Sequence, residues 1–409
     1  MKAKIYLSIL LLGISLSLRA QDAAMEEVLE DSSKWELHAY GVVQYNNFQW
    51  QTDSTRRDRV DLTQVMFAPE YHFTPKLTLE AEIEFEHGGT GSAMEFDRFE
   101  EFGEFEQEIE HGGEVVMEEL VVNYTFNRHF ALEAGKVKVP VGLLNYNSSP
   151  VHYASTWYNN VESTVLPQEW YEIGIAAEGY IDNAEKWEYH AALVNALDNS
   201  AFSSANWIQR GSHQRFEYSN AESFAGALRI DRCWGENNCI GFSTYAGNST
   251  PNRPKPDLDA DAYVTISDLH LHLQNEKWYA QALCMYGTLQ NAALVNDANA
   301  NISNNLNVKR TPAGSAMLAY FAELGYTVYR DHQNNAILLF GGYYFYDTMY
   351  KTSAEDFNNP RWERTEYRGG LMFNHNDHAG VKTDYTYRRL GLDENNVEGT
   401  WSVSLFFNI

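Results

Sequence analysis

The segment 77–86 alternates strictly in polarity. Its odd positions are apolar, whereas its even positions are Thr78 followed by four glutamates. Successive side chains of a β-strand point to opposite faces, so the segment predicts a strand with one apolar and one acidic face. A soluble sandwich could use such a strand with the glutamates in water and the apolar side chains in a core. The segment alone therefore leaves a protein core and a membrane as alternatives for its apolar face.

Similar alternation recurs between turn-like segments and predicts sixteen strands. The second strand loses its alternation near Thr63 and contains Pro69, which indicates a β-bulge. Seven short turns alternate with eight longer loops, so all the long loops fall at one end of the sheet and both termini at the other. The strands are expected at 35–46, 59–73, 77–86, 114–126, 130–139, 170–181, 187–196, 222–232, 238–248, 261–273, 277–289, 315–329, 334–346, 365–373, 379–389 and 399–409.

The start of the chain indicates export. Lys2 and Lys4 precede an apolar run at 5–18, and the polar Gln21 follows Ala20. This pattern predicts a cleaved secretory signal at 1–20, a short periplasmic leader at 21–33 and a single barrel domain at 34–409. After residue 20 no stretch approaches the roughly 20 apolar residues of a spanning helix.

An exported chain without a helical anchor can still span a membrane if its strands close into a barrel. Short turns on one side and long loops on the other are typical of outer-membrane barrels. The predicted fold is therefore all-β, a transmembrane antiparallel barrel of about 16 strands, with 14 or 18 as alternatives. Its turns and termini are expected in the periplasm, its loops outside the cell, and its wall in contact with outer-membrane lipid and lipopolysaccharide.

Composition agrees with a wet interior and an aromatic rim. Aromatic residues make up 14% of the chain although its mean hydropathy is −0.45. The net charge is −26, and removal of residues 1–20 leaves 27 basic and 56 acidic residues, a net charge of −29. Such a charge argues against binding to nucleic acid.

Two segments carry a family resemblance. Residues 135–145 read Gly-Lys-Val-Lys-Val-Pro-Val-Gly-Leu-Leu-Asn, and residues 165–174 read Val-Leu-Pro-Gln-Glu-Trp-Tyr-Glu-Ile-Gly. They resemble the phosphate-selective porin O and P superfamily, in which a strand with this glycine–lysine–proline pattern leads into a long loop. The resemblance implies a water-filled channel for small solutes, often anions, an inward-folded loop after strand five and a homotrimer.

Several charged side chains are expected to line the lumen. Lys136 and Lys138 share a strand face just before Pro140, where two ammonium groups at a constriction would attract anions. Alternatively they are solvated rim lysines. Acidic residues on the polar faces oppose anion selectivity, so phosphate specificity is not carried over from the resemblance. The other expected lumen residues are Glu80, Glu82, Glu84, Glu172, Glu178, Arg229, Arg368, Lys382 and Arg388.

Two further groups are weaker candidates. Glu86-His87 and Glu110-His111 flank an acidic tract and could meet across a hairpin to bind a divalent cation, although solvated loop polarity is the preferred explanation. Cys233 and Cys239 flank a short turn in a chain bound for an oxidising compartment, where they could form a disulfide, although the spacing alone does not establish that their Cβ atoms face each other.

The sequence contains neither a nucleophile elbow nor a phosphate-cradling loop. We therefore expect no enzymatic activity and no cofactor. Two functions stay open: a passive porin for small hydrophilic solutes or ions, and a non-transport surface protein, such as an adhesin, whose barrel is blocked.

Overall fold

A computed structural model describes residues 34–91, 95–97, 106–108, 113–212, 219–235, 238–300, 310–376 and 378–409. Sixteen strands form one closed antiparallel barrel, and two three-residue strands, Glu95–Asp97 and Glu106–Glu108, pair separately. The strands are β1 (Trp35–Trp50), β2 (Arg59–Thr74), β3 (Leu77–Gly91), β4 (Glu95–Asp97), β5 (Glu106–Glu108), β6 (Gly113–Asn127), β7 (Phe130–Lys138), β8 (Tyr171–Tyr180), β9 (Trp187–Asn195), β10 (Phe224–Cys233), β11 (Asn238–Asn248), β12 (Tyr263–Gln274), β13 (Trp278–Leu289), β14 (Ala316–Arg330), β15 (Ala336–Lys351), β16 (Glu363–His375), β17 (Ala379–Leu390) and β18 (Val397–Asn408).

The barrel closes through β1, which pairs with β2 on one side and β18 on the other. The predicted sixteen-stranded fold is therefore confirmed. In the β1–β2 ladder Val42 pairs with Gln64 and Val43 with Leu62, so Thr63 is the extra residue. The bulge predicted from the loss of alternation near Thr63 is confirmed as well.

The two faces of the wall differ as the alternation predicts. In β12, Asp268 and His270 are 2% and 3% exposed, whereas Leu269 between them is 63% exposed. A closed barrel pairs its backbone groups within the ladder, so its outer face can present apolar side chains to hydrocarbon. Near the short turns, aromatic pairs such as Trp278 and Tyr326, whose ring centroids lie 4.9 Å apart, form part of an aromatic rim.

The connections are sorted by length. Those between β6 and β7 and between β12 and β13 span only 128–129 and 275–277, whereas those between β7 and β8 and between β9 and β10 span 139–170 and 196–223. Among the described residues, helices occur only in long connections. The α-helices are α1 (Asn160–Val165) and α2 (Ala292–Ala300), and the 3₁₀ helices are Pro150–His152, Asn199–Ala201, Gln209–Gly211 and Pro360–Trp362. Neither helix has the length and hydropathy needed to cross a membrane, and the same holds for every helix of the described residues.

Candidate functional site: a loop across the barrel lumen

The connection 139–170, called here the inner loop, lies inside the barrel. Its apolar side chains pack against wall residues of β8–β15 and against Phe202 and Trp207 of the next long loop. Burial of this apolar surface explains why the segment turns inward. The inward-folded loop predicted after strand five is confirmed. Its buried apolar residues are Val139, Val141, Leu143, Leu144, Tyr153, Ala154, Tyr158, Val161, Val165, Leu166 and Trp170.

Glu162 ties the two arms of the inner loop together. Its carboxylate accepts hydrogen bonds from the backbone N–H groups of Leu143 at 2.7 Å, Leu144 at 3.1 Å and Asn145 at 3.2 Å. Asn159 donates to the same carboxylate at 2.9 Å and caps α1 by accepting the Glu162 backbone N–H. Burial raises the pKa of the Glu162 carboxyl, and these hydrogen bonds oppose the rise without cancelling it.

Basic side chains of the wall hold the inner loop by its backbone. Lys382 Nζ donates to the carbonyl oxygens of Pro150 and Tyr153, both at 2.6 Å. Arg229 donates to the carbonyl of Gly142 at 2.5 Å. Lys382 and Arg229 are both expected from the sequence to line the lumen. Both are buried because loop carbonyls cover and satisfy their charged groups.

Arg368 has a similar role one strand away. It donates to the carbonyl of Trp157 at 3.1 Å and to the carboxylate of Glu366 at 2.8 Å. The second oxygen of Glu366 accepts from the side chain of Asn160, also at 2.8 Å. The expected lumen cation is thus buried as an anchor for the segment that leads into α1.

Lys136 and Lys138 do not stand as two unpaired cations at a constriction. Lys136 Nζ lies 3.6 Å from a carboxylate oxygen of Glu118, and Lys138 Nζ lies 4.0 Å from one of Glu82. The Lys138 ammonium group also lies 4.9 Å from the ring centroid of Tyr171. Paired charges of this kind attract anions less than the isolated ammonium groups that the sequence suggests.

The strand register adds a second correction for Lys136. Its ladder partners are Leu120 and Ile173, both exposed on the outer face, whereas its neighbour Val137 is fully buried under the inner loop. The backbone at position 136 therefore belongs to the outer face of the wall.

The predicted acidic residues differ in their surroundings. Glu84 is buried and accepts from Gln64 at 2.6 Å. Glu172 is buried and accepts from the Trp170 indole at 3.3 Å. Glu80 is half-buried in β3. Several of these carboxylates thus carry hydrogen bonds that organise the wall and the base of the inner loop.

Two adjoining cavities, called here the outer cavities, lie on the long-loop side of the inner loop. Each has a volume of about 240 Å³, and both are lined by Trp50, Arg388 and Glu398. The guanidinium carbons of Arg56 and Arg388 lie 4.1 Å and 5.0 Å from the ring centroid of Trp50. Burial and the neighbouring charges of Arg59 and Arg388 lower the pKa of Arg56, as expected where guanidinium groups are crowded.

Arg361 and Arg364 complete this arginine group in the outer cavities. Arg364 lies 4.7 Å from the ring centroid of Trp362. A guanidinium group stacks on aromatic faces and presents N–H donors whose geometry matches carboxylate and phosphate oxygens. Of these residues the sequence pattern predicts only Arg388, because Arg56 and Arg361 lie in loops without periodicity. The one available signal is the run of arginines around Trp362.

A third cavity, called here the short-turn cavity, has a volume of about 260 Å³. Its lining reaches Arg128 in a short turn. It also includes Glu178 of β8, His190 of β9 and, from the inner loop, Tyr146. The Tyr146 hydroxyl lies 2.9 Å from His190 Nδ1. The expected lumen residue Glu178 thus shares a cavity with a histidine that the sequence pattern does not single out.

The predicted cation site is described only in part. Glu110 and His111 lie outside the described residues. His87 Nδ1 lies 2.8 Å from a carboxylate oxygen of Asp61 on the neighbouring strand, and Glu86 lies opposite Gln64 in the β2–β3 ladder. The described part of the site therefore contains a histidine–aspartate pair.

Another group brings three potential metal ligands close together. Within the described ranges, Glu36, Glu70 and His72 form one set of three whose ligand atoms all lie within 4.8 Å of one another. It sits near the short-turn end of β1 and β2, and sequence spacing misses it because its members lie on two strands. His72 Nε2 already contacts Glu36 at 3.2 Å.

The cysteines behave differently from one another. Cys233 and Cys239 pair across the β10–β11 turn and are joined by a disulfide with an S–S distance of 2.07 Å. Cys284 is free and exposed.

The chain was compared with known protein families, with known proteins and with solved structures. No model of a known protein family matches the chain. An uncharacterized protein of Aquifex aeolicus is 24% identical over 358 residues, which cover 85% of this chain and 74% of that protein.

Solved structures resemble the chain in fold, over a larger share of its length than the Aquifex aeolicus protein does in sequence. The outer membrane channel DcaP of Acinetobacter baumannii matches with a TM-score of 0.55 and 8% identity, over 92% of this chain and 97% of that chain. An anion-selective porin of Comamonas acidovorans matches with a TM-score of 0.51 and 8% identity, over 92% and 100%. The trimer form of OmpT, an outer membrane protein of Vibrio cholerae, matches with a TM-score of 0.51 and 9% identity, over the same shares. The chain therefore has the sixteen-stranded barrel fold of the outer-membrane porins.

Proposed function

We propose that this protein is an outer-membrane porin through which small hydrophilic solutes diffuse passively. The observation that carries the proposal is the closed barrel whose lumen is crossed by an anchored loop, with cavities on both sides of that loop. A barrel of about this size is wide enough for an aqueous channel, and the inner loop narrows it. No chemical step is required of such a protein, so we propose neither an enzymatic activity nor a cofactor.

The motif at 135–145 supports a place beside the phosphate-selective porin O and P superfamily. Gly135 and Gly142 have φ values of 145° and 87°. A Cβ at Gly135 would overlap the Leu120 carbonyl, and one at Gly142 would overlap the Glu162 carboxylate. Both glycines of the motif thus meet a physical requirement at the entry to the inner loop.

The fold also supports the proposed location and processing. We place residues 1–20 in a removed export signal and 21–33 in a periplasmic leader, with the short turns and both termini of the barrel in the periplasm. The apolar outer face then contacts outer-membrane lipid and lipopolysaccharide. A homotrimer is the proposed assembly, in line with the trimer form of OmpT, which has the same fold.

The outer cavities favour anionic solutes at the external entrance. Arg56, Arg361, Arg364 and Arg388 line them beside the carboxylates of Asp53 and Glu398. Guanidinium groups held on aromatic faces suit carboxylate or phosphate oxygens. We therefore propose a preference for small anions at this entrance, without specificity for phosphate.

Conductance in planar lipid bilayers tests this function. Purified protein should produce stable conductance steps, and reversal potentials in a salt gradient should show whether anions are preferred. The variant Arg56→Gln/Arg364→Gln should reduce an anion preference, whereas Lys277→Gln, in an exposed short turn, should leave it unchanged. A silent, correctly folded barrel would contradict the porin proposal.

A second function is favoured by one specific observation. The inner loop, the loop containing Phe202 and Trp207, and α2 contribute to a single buried apolar cluster inside the barrel. A lumen filled in this way would suit a non-transport surface protein that binds through its long loops. No conductance together with loop-dependent binding to a surface or ligand would support this alternative.

A further inference from the structure

The short-turn cavity is built from a regular patch on the inner wall. One row of the patch runs from Glu178 in β8 through His190 in β9 to Arg229 in β10, each residue directly opposite the next. The adjacent row runs from Tyr180 through Glu188 to Asp231. All six residues line the cavity. Three neighbouring strands therefore present a fixed grid of side chains to one space.

Part of the charge in this grid is neutralised within the wall. Arg229 Nε donates to Asp231 at 2.5 Å, and the second carboxylate oxygen of Asp231 lies 2.6 Å from His270 Nε2. Arg229 also donates to the Gly142 carbonyl. Arg229 and Asp231 thus satisfy each other and the inner loop, and neither is available to hold a solute.

Two carboxylates remain. Among the described residues, no hydrogen bond or ion pair engages the side chains of Glu178 and Glu188. At the open end of the cavity, Arg128 donates hydrogen bonds to the side chains of Glu185 at 3.2 Å and Asn183 at 3.0 Å. The cavity therefore presents an excess of negative charge in spite of the arginines in its lining.

His190 supplies an independent sign of a binding site. It is 6% exposed, and its Nε2 atom is buried with no hydrogen-bond partner in the described part of the chain. Its Nδ1 atom is already held by the Tyr146 hydroxyl at 2.9 Å. A buried polar atom without a partner is costly, and a solute that hydrogen-bonds to it would remove that cost.

Tyrosines complete the lining. Tyr146, Tyr180 and Tyr189 all border the cavity, and Arg229 already lies over the Tyr146 ring at 4.3 Å. Aromatic faces attract cations, particularly where solvent is restricted. Carboxylates and aromatic rings together suit an organic ammonium group better than an inorganic anion.

We propose that the short-turn cavity binds small organic ammonium compounds, with Glu178 and Glu188 as charge partners and His190 as a further hydrogen-bond partner. The cavity reaches the short-turn end of the barrel through Arg128, so such a solute enters from that side. This site is separate from the arginine-lined outer cavities, and its occupancy does not depend on whether the barrel conducts.

Calorimetric titration of the full-length protein in detergent micelles with 1,4-diaminobutane tests the proposal. We expect saturable binding, about tenfold weaker in Glu178→Gln/Glu188→Gln because charge-assisted hydrogen bonds are lost. The control Glu276→Gln removes an exposed carboxylate in another short turn, outside the cavity lining, and should bind like the unmodified protein. His190→Phe should weaken binding without changing the charge of the cavity.

Two results would overturn the proposal: no binding by the unmodified protein, or equal binding by the unmodified and double-variant proteins. Heat-dependent migration in gels establishes that each variant keeps its barrel. The Glu→Gln changes remove the charge and keep the shape of each side chain. Because the titration needs no conductance, a protein that binds the diamine but forms no channel would contradict the porin proposal and leave this one standing.

Discussion

At the scale of single residues, close packing between charged side chains fixes the wall behind the inner loop. His270 bridges two strands, with Nε2 2.6 Å from Asp231 and Nδ1 2.7 Å from Asp268. Gly241 lies between Asp231 and His270 in the ladders. A Cβ at this glycine would overlap both the carboxylate and the imidazole. The absence of a side chain at position 241 therefore permits this ion-pair network.

Gly241→Ala should destabilise the barrel by about 1–3 kcal/mol, the usual cost of overpacking a tight site. Gly226→Ala is the matched control, because a Cβ there meets no atom within 4 Å. Thermal unfolding followed by circular dichroism compares the two variants. Equal midpoints would show that the network tolerates the added methyl group.

His152 in the inner loop predicts a dependence of stability on pH. Burial, with smaller contributions from His272 and Lys382, lowers the pKa of His152 to about 4. Between its unfolded pKa of about 6.5 and this value, the unfolded chain binds more protons, so stability falls as the pH falls. His152→Gln should reduce the loss of thermal stability measured between pH 6.5 and pH 4. An unchanged pH profile would rule out this contribution.

At the scale of elements, the inner loop is held by contacts with distant strands. Lys382 of β17 satisfies two loop carbonyls, and Asp384 of the same strand accepts the backbone N–H of Thr156 at 2.6 Å. Glu162 adds a local constraint by joining the loop's two arms. The loop therefore depends on the wall for its position and on its own carboxylate for its shape.

Lys382→Met should loosen the inner loop, because the substitution leaves the Pro150 and Tyr153 carbonyls without their donor at a cost of about 1–3 kcal/mol each. If the barrel conducts, single-channel recordings should show larger or noisier conductance steps. Lys277→Met, in an exposed turn, is the control for loss of a lysine. Identical recordings from the two variants would mean that Lys382 does not restrain the loop.

At the scale of the whole molecule, the sorting of connections by length predicts orientation. Asp259 lies in a long loop and Glu276 in a short turn. In a Cys284→Ser background, Asp259→Cys should react with a membrane-impermeant maleimide on intact cells, whereas Glu276→Cys should react only after lysis. The reverse labelling pattern would falsify the proposed periplasmic termini.

Local sequence by itself determined the strands and their faces. Alternation with a period of two is a property of neighbouring residues, so it identifies β12 and the direction of Asp268, Leu269 and His270 without knowledge of any partner strand. The even number of strands and the sorting of loops follow from the same local pattern. The sixteen strands could therefore be predicted from the local pattern, closure needed the export signal and the missing helical anchor as well, and the inward loop was expected only from the family resemblance.

Only the tertiary structure decided which charges face solvent and which bind the inner loop. Lys382 meets Pro150 across 232 positions of sequence, and Arg56 approaches Arg388 only because β1 closes the barrel beside β18. Alternation assigns a side chain to a face, but pairing depends on what the fold brings to that face. For this reason the sequence predicts a polar lumen. The anchors, the arginine-lined cavities and the burial of His190, whose Nε2 atom has no hydrogen-bond partner in the described part of the chain, follow from contacts between residues far apart in the chain.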